Sequence, residues 1–304
     1  MNPSETPRRT MALSGASGLV GSALIASLKS SEWVVRKLVR KQVPGEILWN
    51  YETRQIDASQ LESLDAVVHL AGENIAAGRW NAARKKQIRD SRVLGTRFLC
   101  ETLAKLSSKP KVLVAASAIG FYGDRRDAIM GEEERAGEGF LSSTCVEWEE
   151  ATKPASDAGI RVVNLRIGVV LSRHGGALQK MLLPFKLGLG GNVGSGRQYW
   201  SWIALPDLVN IIRFAVTNDS LRGPVNAVSP HPATNAEFTR TLGRVLHRPT
   251  IFPMPGFAAR MAFGEMANDL MLASTRVMPQ RLQSTGYTFL YPQLVDALQN
   301  AING

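Results

Sequence analysis

Thr10-Met11-Ala12-Leu13-Ser14-Gly15-Ala16-Ser17-Gly18-Leu19-Val20-Gly21 joins an apolar run to a glycine-rich turn, and the turn to a helix pattern that continues to Leu28. The three glycines fall at G-x-x-G-x-x-G spacing. Such a turn lets backbone come close to a pyrophosphate, and the following helix N-terminus offers free N–H groups and a positive dipole end. A glycine triplet alone is equally a flexible turn. Here a strand pattern precedes it, a helix pattern follows, and a second strand pattern, Trp33-Val34-Val35-Arg36-Lys37-Leu38-Val39, comes next. The reading is a dinucleotide site built from Gly15, Ser17, Gly18, Leu19 and Gly21.

Working outward, Glu46-Ile47-Leu48-Trp49 reads as a third strand. Only about five residues separate it from the second, too few for a crossover helix, so this part of the sheet is expected to be abbreviated or irregular. Further strands are expected at 66–70, 111–116, 160–165 and 225–228. A long helix is expected over about 80–106, with Ile88, Leu99, Leu103 and Leu106 in the core, and a second over 140–156, weakened at Pro154. Residues 117–139 read as loop. Strands alternating with helices, nearly all apolar, imply an α/β fold: a Rossmann-type, doubly wound parallel sheet covered on both faces. Residues 1–8 read as a disordered tail and 9–228 as the dinucleotide-binding domain. Residues 229–304 read as a mostly helical C-terminal lobe with three helix patterns, one begun by the capping box Thr234-Asn235-Ala236-Glu237. The Gly-rich stretch 171–204 is expected to join that lobe over the ligand crevice.

Bulk properties narrow the function. The 304 residues are 44% hydrophobic and 20% charged, an ordinary globular composition. No run of 18 apolar residues occurs and the N-terminus lacks a signal-peptide core, so no membrane partner is expected. Cys100 and Cys145 offer no disulfide framework, and a reducing, cytoplasmic location is the expectation. Cys145 reads as a small buried residue rather than a nucleophile. The net charge of +10 would suit an anionic ligand or nucleic acid. The basic cluster Arg79, Arg84, Lys85, Lys86, Arg89, Arg92 and Arg97 scatters around one helix and reads as a solvated face. No zinc-ligand spacing or RNA-binding motif accompanies it, so neither a metal nor a nucleic-acid partner is expected. The expected partner is a small-molecule substrate, and the expected state a monomer or a homodimer.

The second strand ends at Val39-Arg40-Lys41, and Arg40 lies 19 residues past Gly21. NAD sites usually place Asp or Glu there for the ribose 2′-hydroxyl; Arg suits the 2′-phosphate of NADP. A guanidinium can grip that phosphate bidentately. The other reading is a surface basic pair. NADP(H) is the expected cofactor.

Gly15-x-x-Gly18-x-x-Gly21, His69-Leu70-Ala71-Gly72, Gly95-Thr96 and Phe121-Tyr122-Gly123 resemble the extended short-chain dehydrogenase/reductases, the sugar-nucleotide epimerase group. Leu70-Ala71-Gly72-Glu73-Asn74-Ile75, Trp148-Glu149, Arg166-x-Gly168-Val169-Val170-Leu171, Leu182-Leu183-Pro184-Phe185 and Pro279-Gln280-Arg281 sharpen this. They resemble an atypical branch, the epimerase-family proteins, some described as cell-division inhibitors. The resemblance runs over about residues 9–302. It implies NADP(H) binding, with Val39 and Arg40 at the adenosine phosphate and Leu70, Ala71 and Gly72 along the cofactor. It also implies Arg92 reaching the cofactor from the long helix, and Val169 near the nicotinamide. The residues themselves leave plain core packing open for Leu70, Ala71 and Val169, and a surface ion pair for Arg92.

The catalytic groups of the extended class do not carry over. Active members use Tyr-x-x-x-Lys with a Ser or Thr, the Tyr moving the proton that accompanies the hydride. No Tyr-x-x-x-Lys occurs in this chain; Phe140 takes the Tyr place and Thr144 the Lys place. Ser117 and Tyr122 are the remaining candidates for the catalytic hydroxyl and the acid/base. The epimerases' diphosphate-clamping Arg is replaced by Trp200, which argues against a UDP-sugar. Tyr199, Trp200 and Trp202 point either to a flat apolar ligand or to lobe core. Two functions compete: an NADP(H)-dependent oxidoreductase or epimerase-like enzyme with an altered proton path, and a non-catalytic NADP(H)-binding regulator or sensor, for example in cell or organelle division.

Overall fold

The computed structural model describes residues 8–304; apart from Arg8, the expected tail lies outside the described residues. Eight strands form the central sheet: β1 (Arg9–Ser14), β2 (Trp33–Val39), β3 (Ile47–Asn50), β4 (Gln55–Ile56), β5 (Ala66–His69), β6 (Val112–Ala118), β7 (Arg161–Ile167) and β8 (Gly223–Ala227). Their order is β8-β7-β6-β5-β1-β2-β3-β4. All neighbours are parallel except the edge pair β3–β4. The chain winds outward from β1 in one direction and from β5 in the other, so the switch point lies between them.

Among the described residues ten helices accompany the sheet: α1 (Leu19–Leu28), α2 (Ala82–Ala104), α3 (Phe140–Glu150), α4 (Lys153–Asp157), α5 (Gly176–Lys186), α6 (Leu205–Thr217), α7 (Asn235–Leu246), α8 (Gly256–Phe263), α9 (Gln280–Ser284) and α10 (Leu294–Asn303). One face of the sheet packs on α1 and α6 through Leu24, Leu28, Ile211 and Ile212. The other packs on α2 and α4 through Leu99, Leu103 and Ala155. This double cover is why the strands read as apolar runs rather than alternating ones. Ile88, Leu99, Leu103 and Leu106 are all buried, as their helical spacing predicts.

Several expectations change. β2 and β3 pair in parallel across the short loop 40–46, but only through Leu38↔Ile47 and Val39↔Leu48. Because β3 begins where β2 ends, the chain need not return along the sheet, and no crossover helix is required. The expected loop 117–139 contributes Ser117 and Ala118 to β6, then a 3₁₀ turn, Ile119–Tyr122, and a two-residue strand, Ile129–Met130. The helix expected over 140–156 breaks into α3 and α4; Pro154 stands in the first turn of α4, where its missing N–H has no partner to lose. The C-terminal stretch holds four helices and a π turn, Asn268–Leu272, rather than three helices. Its capping box forms as expected: Thr234 Oγ1 accepts from Glu237 N, and Glu237 accepts from Thr234 N.

Trp202 is fully buried, and its indole N–H donates to His231 O at 3.0 Å. Trp200 is half-buried, with its ring 5.4 Å from Phe238, and donates to Met271 O. Both belong to a separate apolar cluster with Leu182, Phe185, Leu242 and Leu298, so the core reading holds for them. Nor is the basic helix α2 a free solvated face. Arg84 pairs with Glu73, Lys85 with Glu265, and Arg89 with Asp90 and Glu147.

Candidate functional site

The glycine turn sits at the switch point. Gly15 has φ +70°, which favours glycine, and a Cβ there would lie 2.8 Å from the Leu70 carbonyl carbon and oxygen. A Cβ at Gly21 would lie 2.2 Å from Gly15 O. Gly18 N donates to Gly15 O at 3.0 Å, closing the turn. α1 therefore starts with its first amides facing out, with no side-chain cap and no acidic residue in its first turn. Those orphan N–H groups and the positive dipole end suit an anion. Ser17 and Gly18 are exposed and Leu19 half-buried, its side chain packing against Gly175.

The opposite wall is Leu70-Ala71-Gly72, and a hydrogen-bonded chain fixes its place. Leu70 N and Ala71 N both donate to Ser14 Oγ, at 3.1 and 3.2 Å. The hydroxyl proton then goes to His69 Nδ1, 2.7 Å away. That assigns the His69 proton to Nε2, which donates to Thr96 Oγ1 at 3.0 Å, where Trp148 Nε1 also donates at 2.9 Å. Burial drives the His69 pKa down to about 4, so the ring is neutral. Glycine at 72 leaves room for Arg92: a Cβ there would lie 3.3 Å from Arg92 Cζ. Arg92 stacks over Trp148, 5.0 Å from Cζ to ring centroid, and donates to Ile88 O. It is no surface ion-pair residue, and burial lowers its pKa.

Val39 closes β2, and Arg40 stands exposed just beyond it. The Arg40 carbonyl accepts from Asn50 Nδ2 at 3.3 Å, which pins the backbone and leaves the guanidinium at the surface. Val169 is half-buried in the short strand Val169–Leu171, paired with Trp202–Ala204. Among the described residues no cluster of His, Cys, Asp and Glu has the size of a metal site.

The structure brings Ser117 and Tyr122 together, but in a buried network rather than at an open surface. Ser117 Oγ donates to Glu149 Oε1 at 2.7 Å. Glu149 takes Arg166 bidentately, at 2.8 and 2.9 Å. Arg166 Nη1 also donates to the Tyr122 phenol at 2.9 Å, and that phenol donates to Asn226 Oδ1 at 2.7 Å. Tyr122 is 0% exposed, and burial raises its pKa. The acid/base reading of Tyr122 therefore does not fit: its proton and one lone pair are engaged, and no ligand can reach it without opening the core. Ser117, 2% exposed and donating to a carboxylate, is equally committed. Phe140 packs edge-on against Trp80, 5.3 Å away, and Thr144 is buried. Cys145 is buried, and burial raises its thiol to about 12. Glu149 and Arg166, the centre of this network, were not picked out as working residues from sequence. Each stands inside a quoted motif; for Arg166 the signal is a charged residue in a largely apolar strand, whereas Glu149 lies among other glutamates of α3, where nothing local marks it.

Residues 11–227 match the NAD dependent epimerase/dehydratase family, and residues 254–301 match DUF1731, a domain of unknown function. Epimerase family protein Mb2239 of Mycobacterium bovis is 44% identical over 290 residues, 95% of this chain and 96% of its own. Human epimerase family protein SDR39U1 is 38% identical over 291 residues, 95% of this chain and 98% of its own. A crystal structure of human SDR39U1 (isoform 2) with NADPH matches with a TM-score of 0.89 at 36% identity, covering 97% of this chain and 100% of that one. A nucleoside-diphosphate sugar epimerase from Corynebacterium glutamicum matches with a TM-score of 0.80 at 39% identity, covering 98% of this chain and 58% of that one. Sheet order, glycine turn and near full-length identity agree: this chain belongs to the NAD-dependent epimerase/dehydratase family, in its SDR39U1-like branch.

Proposed function

We propose that this chain is an NADP(H)-binding oxidoreductase of the short-chain dehydrogenase/reductase type that works without a tyrosine acid. One observation carries the cofactor: the Gly15 turn packs against Leu70 so closely that no side chain fits, leaving uncapped α1 amides beside the wall Leu70-Ala71-Gly72. Gly15, Ser17, Gly18, Leu19 and Gly21 would hold the pyrophosphate. Arg40, at the surface beyond β2, would take the 2′-phosphate, with Val39 against the adenosine. Arg92, a half-buried guanidinium behind Gly72, would bring positive charge to the same wall, and Val169 would stand at the nicotinamide end. Bound there, NADPH supplies a hydride. Ser117 and Tyr122, engaged in the buried network, would not supply the accompanying proton, which would come from solvent.

The test is a fluorescence titration of NADPH and NADH, then an assay with pools of aldehydes, ketones and quinones. Arg40→Asp should weaken NADPH about tenfold or more and leave NADH nearly unchanged, since only NADPH carries the phosphate. Equal losses for both would remove the NADP assignment. Turnover should survive Tyr122→Phe in whatever fraction remains folded; its complete loss there would restore a phenol acid. The second reading, a non-catalytic NADP(H) sensor, is favoured by Phe140 and Thr144 standing at the Tyr and Lys places. Tight NADPH binding with no oxidation across the pools would select it.

A further inference from the structure

Among the described residues the five most exposed large apolar side chains lie on two adjoining segments. On α5 and the loop after it, Leu183, Leu187 and Leu189 are 67%, 65% and 57% exposed. Beside them Ile251, Phe257 and Met261 are 70%, 67% and 73% exposed. The two segments lie edge to edge: Phe252 N donates to Gly190 O at 3.2 Å, and Met254 N to Asn192 O at 2.8 Å. A Cβ at Gly191 would come 1.9 Å from Phe252 O, so nothing larger than glycine fits between them. Leu183 on α5 and Leu187 at its C-cap are one turn apart, as are Phe257 and Met261 on α8, so each helix turns an apolar edge outward. Exposed apolar edges on two adjoining segments are the kind of surface that docks a partner.

The charges around the patch say what docks. Residues 180–192 and 243–261 contain Lys180, Lys186, Arg244, Arg248 and Arg260 and no Asp or Glu. Past α8, the carboxylate of Glu265 is already held by Lys85. A second copy of the chain, paired isologously on this face, would set these cations against their own images. An anionic surface with an apolar interior answers both features. We propose that this face docks peripherally on an anionic lipid bilayer, with the leucines, Phe257 and Met261 entering the headgroup boundary and the cations meeting lipid head groups. Among the described residues no helix is long and apolar enough to cross a membrane. Peripheral docking departs from the sequence expectation of no membrane partner.

The full chain is floated with vesicles of phosphatidylcholine alone and of phosphatidylcholine mixed with phosphatidylserine. It should partition only onto the anionic vesicles and come off in about 1 M salt, where screening shortens to about 3 Å. Lys186→Ala and Arg244→Ala should each weaken partition about fivefold. Leu187→Ser with Phe257→Ser should weaken it about tenfold or more. All four residues are exposed, so an unchanged circular-dichroism melting curve confirms that the variants fold. Three results would overturn the proposal: no partition onto anionic vesicles, equal partition onto neutral ones, or a concentration-dependent dimer that Phe257→Ser dissolves.

Discussion

Gly15, Gly18 and Gly21 share one motif but not one constraint. At Gly15 both space and backbone forbid a side chain: φ is +70° and the Leu70 carbonyl is 2.8 Å from a Cβ. At Gly21 the obstacle is the Gly15 carbonyl at 2.2 Å, and at Gly18 the same oxygen stands at 3.2 Å, close enough to yield by a small shift. Overpacking and strained backbone each cost about 1–3 kcal/mol. Gly15→Ala and Gly21→Ala should therefore each lower stability by roughly that amount and abolish NADPH binding, while Gly18→Ala should fold normally and bind more weakly. Urea unfolding together with NADPH fluorescence checks this; three variants of equal effect would show that the motif acts only as a flexible turn. The spacing alone predicts the motif, because spacing is local. The weight of Gly15 depends on Leu70, just past β5 and far along the chain, and is invisible in the spacing.

Between elements, the pair Arg166–Glu149 joins β7 to α3 and ties the C-terminal stretch to both. Arg166 Nη1 donates to Glu132 O, and Glu132 Oε1 accepts from Asn226 N in β8 and from Arg281 N in α9. Arg166 also lies 3.5 Å over the Phe121 ring. Burial opposes its charge, but hydrogen bonds to Glu149 and the carboxylate's charge hold its pKa above the ordinary value. Removing one partner leaves the other buried and unpaired, at about 3–5 kcal/mol. Arg166→Met and Glu149→Leu should each cost about that much, and the double variant clearly less than their sum. Additive losses in urea unfolding would show that the two do not act as a pair. This region is where sequence reading stopped short. The α/β alternation, the glycine turn and the core of α2 are written in periodicities of a few residues. Ser117, Glu149, Arg166 and Tyr122 meet only because β6, α3, β7 and a 3₁₀ turn converge. Ser117 and Tyr122 stand out in sequence by their hydroxyls, but the partners that engage those hydroxyls lie up to 104 residues away along the chain.

At the scale of the whole molecule, His69 is where the layers meet. Its ring links β5 to β1 through Ser14 and to α2 through Thr96, with Trp148 of α3 on the same hydroxyl. Trp49 of β3 packs edge-on at 5.3 Å. Protonating His69 would turn Nδ1 from acceptor to donor, leaving the Ser14 hydroxyl without its place and loosening the wall Leu70-Ala71. Such a group makes global stability depend on pH. In the folded chain burial depresses its pKa to about 4, against 6.5 for an unperturbed imidazole. Between those values the unfolded chain binds the extra proton and the folded chain does not, so unfolding gains as pH falls. The contribution is fully present above pH 6.5 and is lost progressively toward pH 4. The shift corresponds to about 3 kcal/mol by pH 4. Comparing urea unfolding of the wild type with that of His69→Asn at pH 7 and pH 4 separates this loss from that of the carboxylates, which both proteins share. The wild type should lose about 3 kcal/mol more than the variant over that interval, and equal losses would mean that burial does not depress the pKa of the ring in the folded chain.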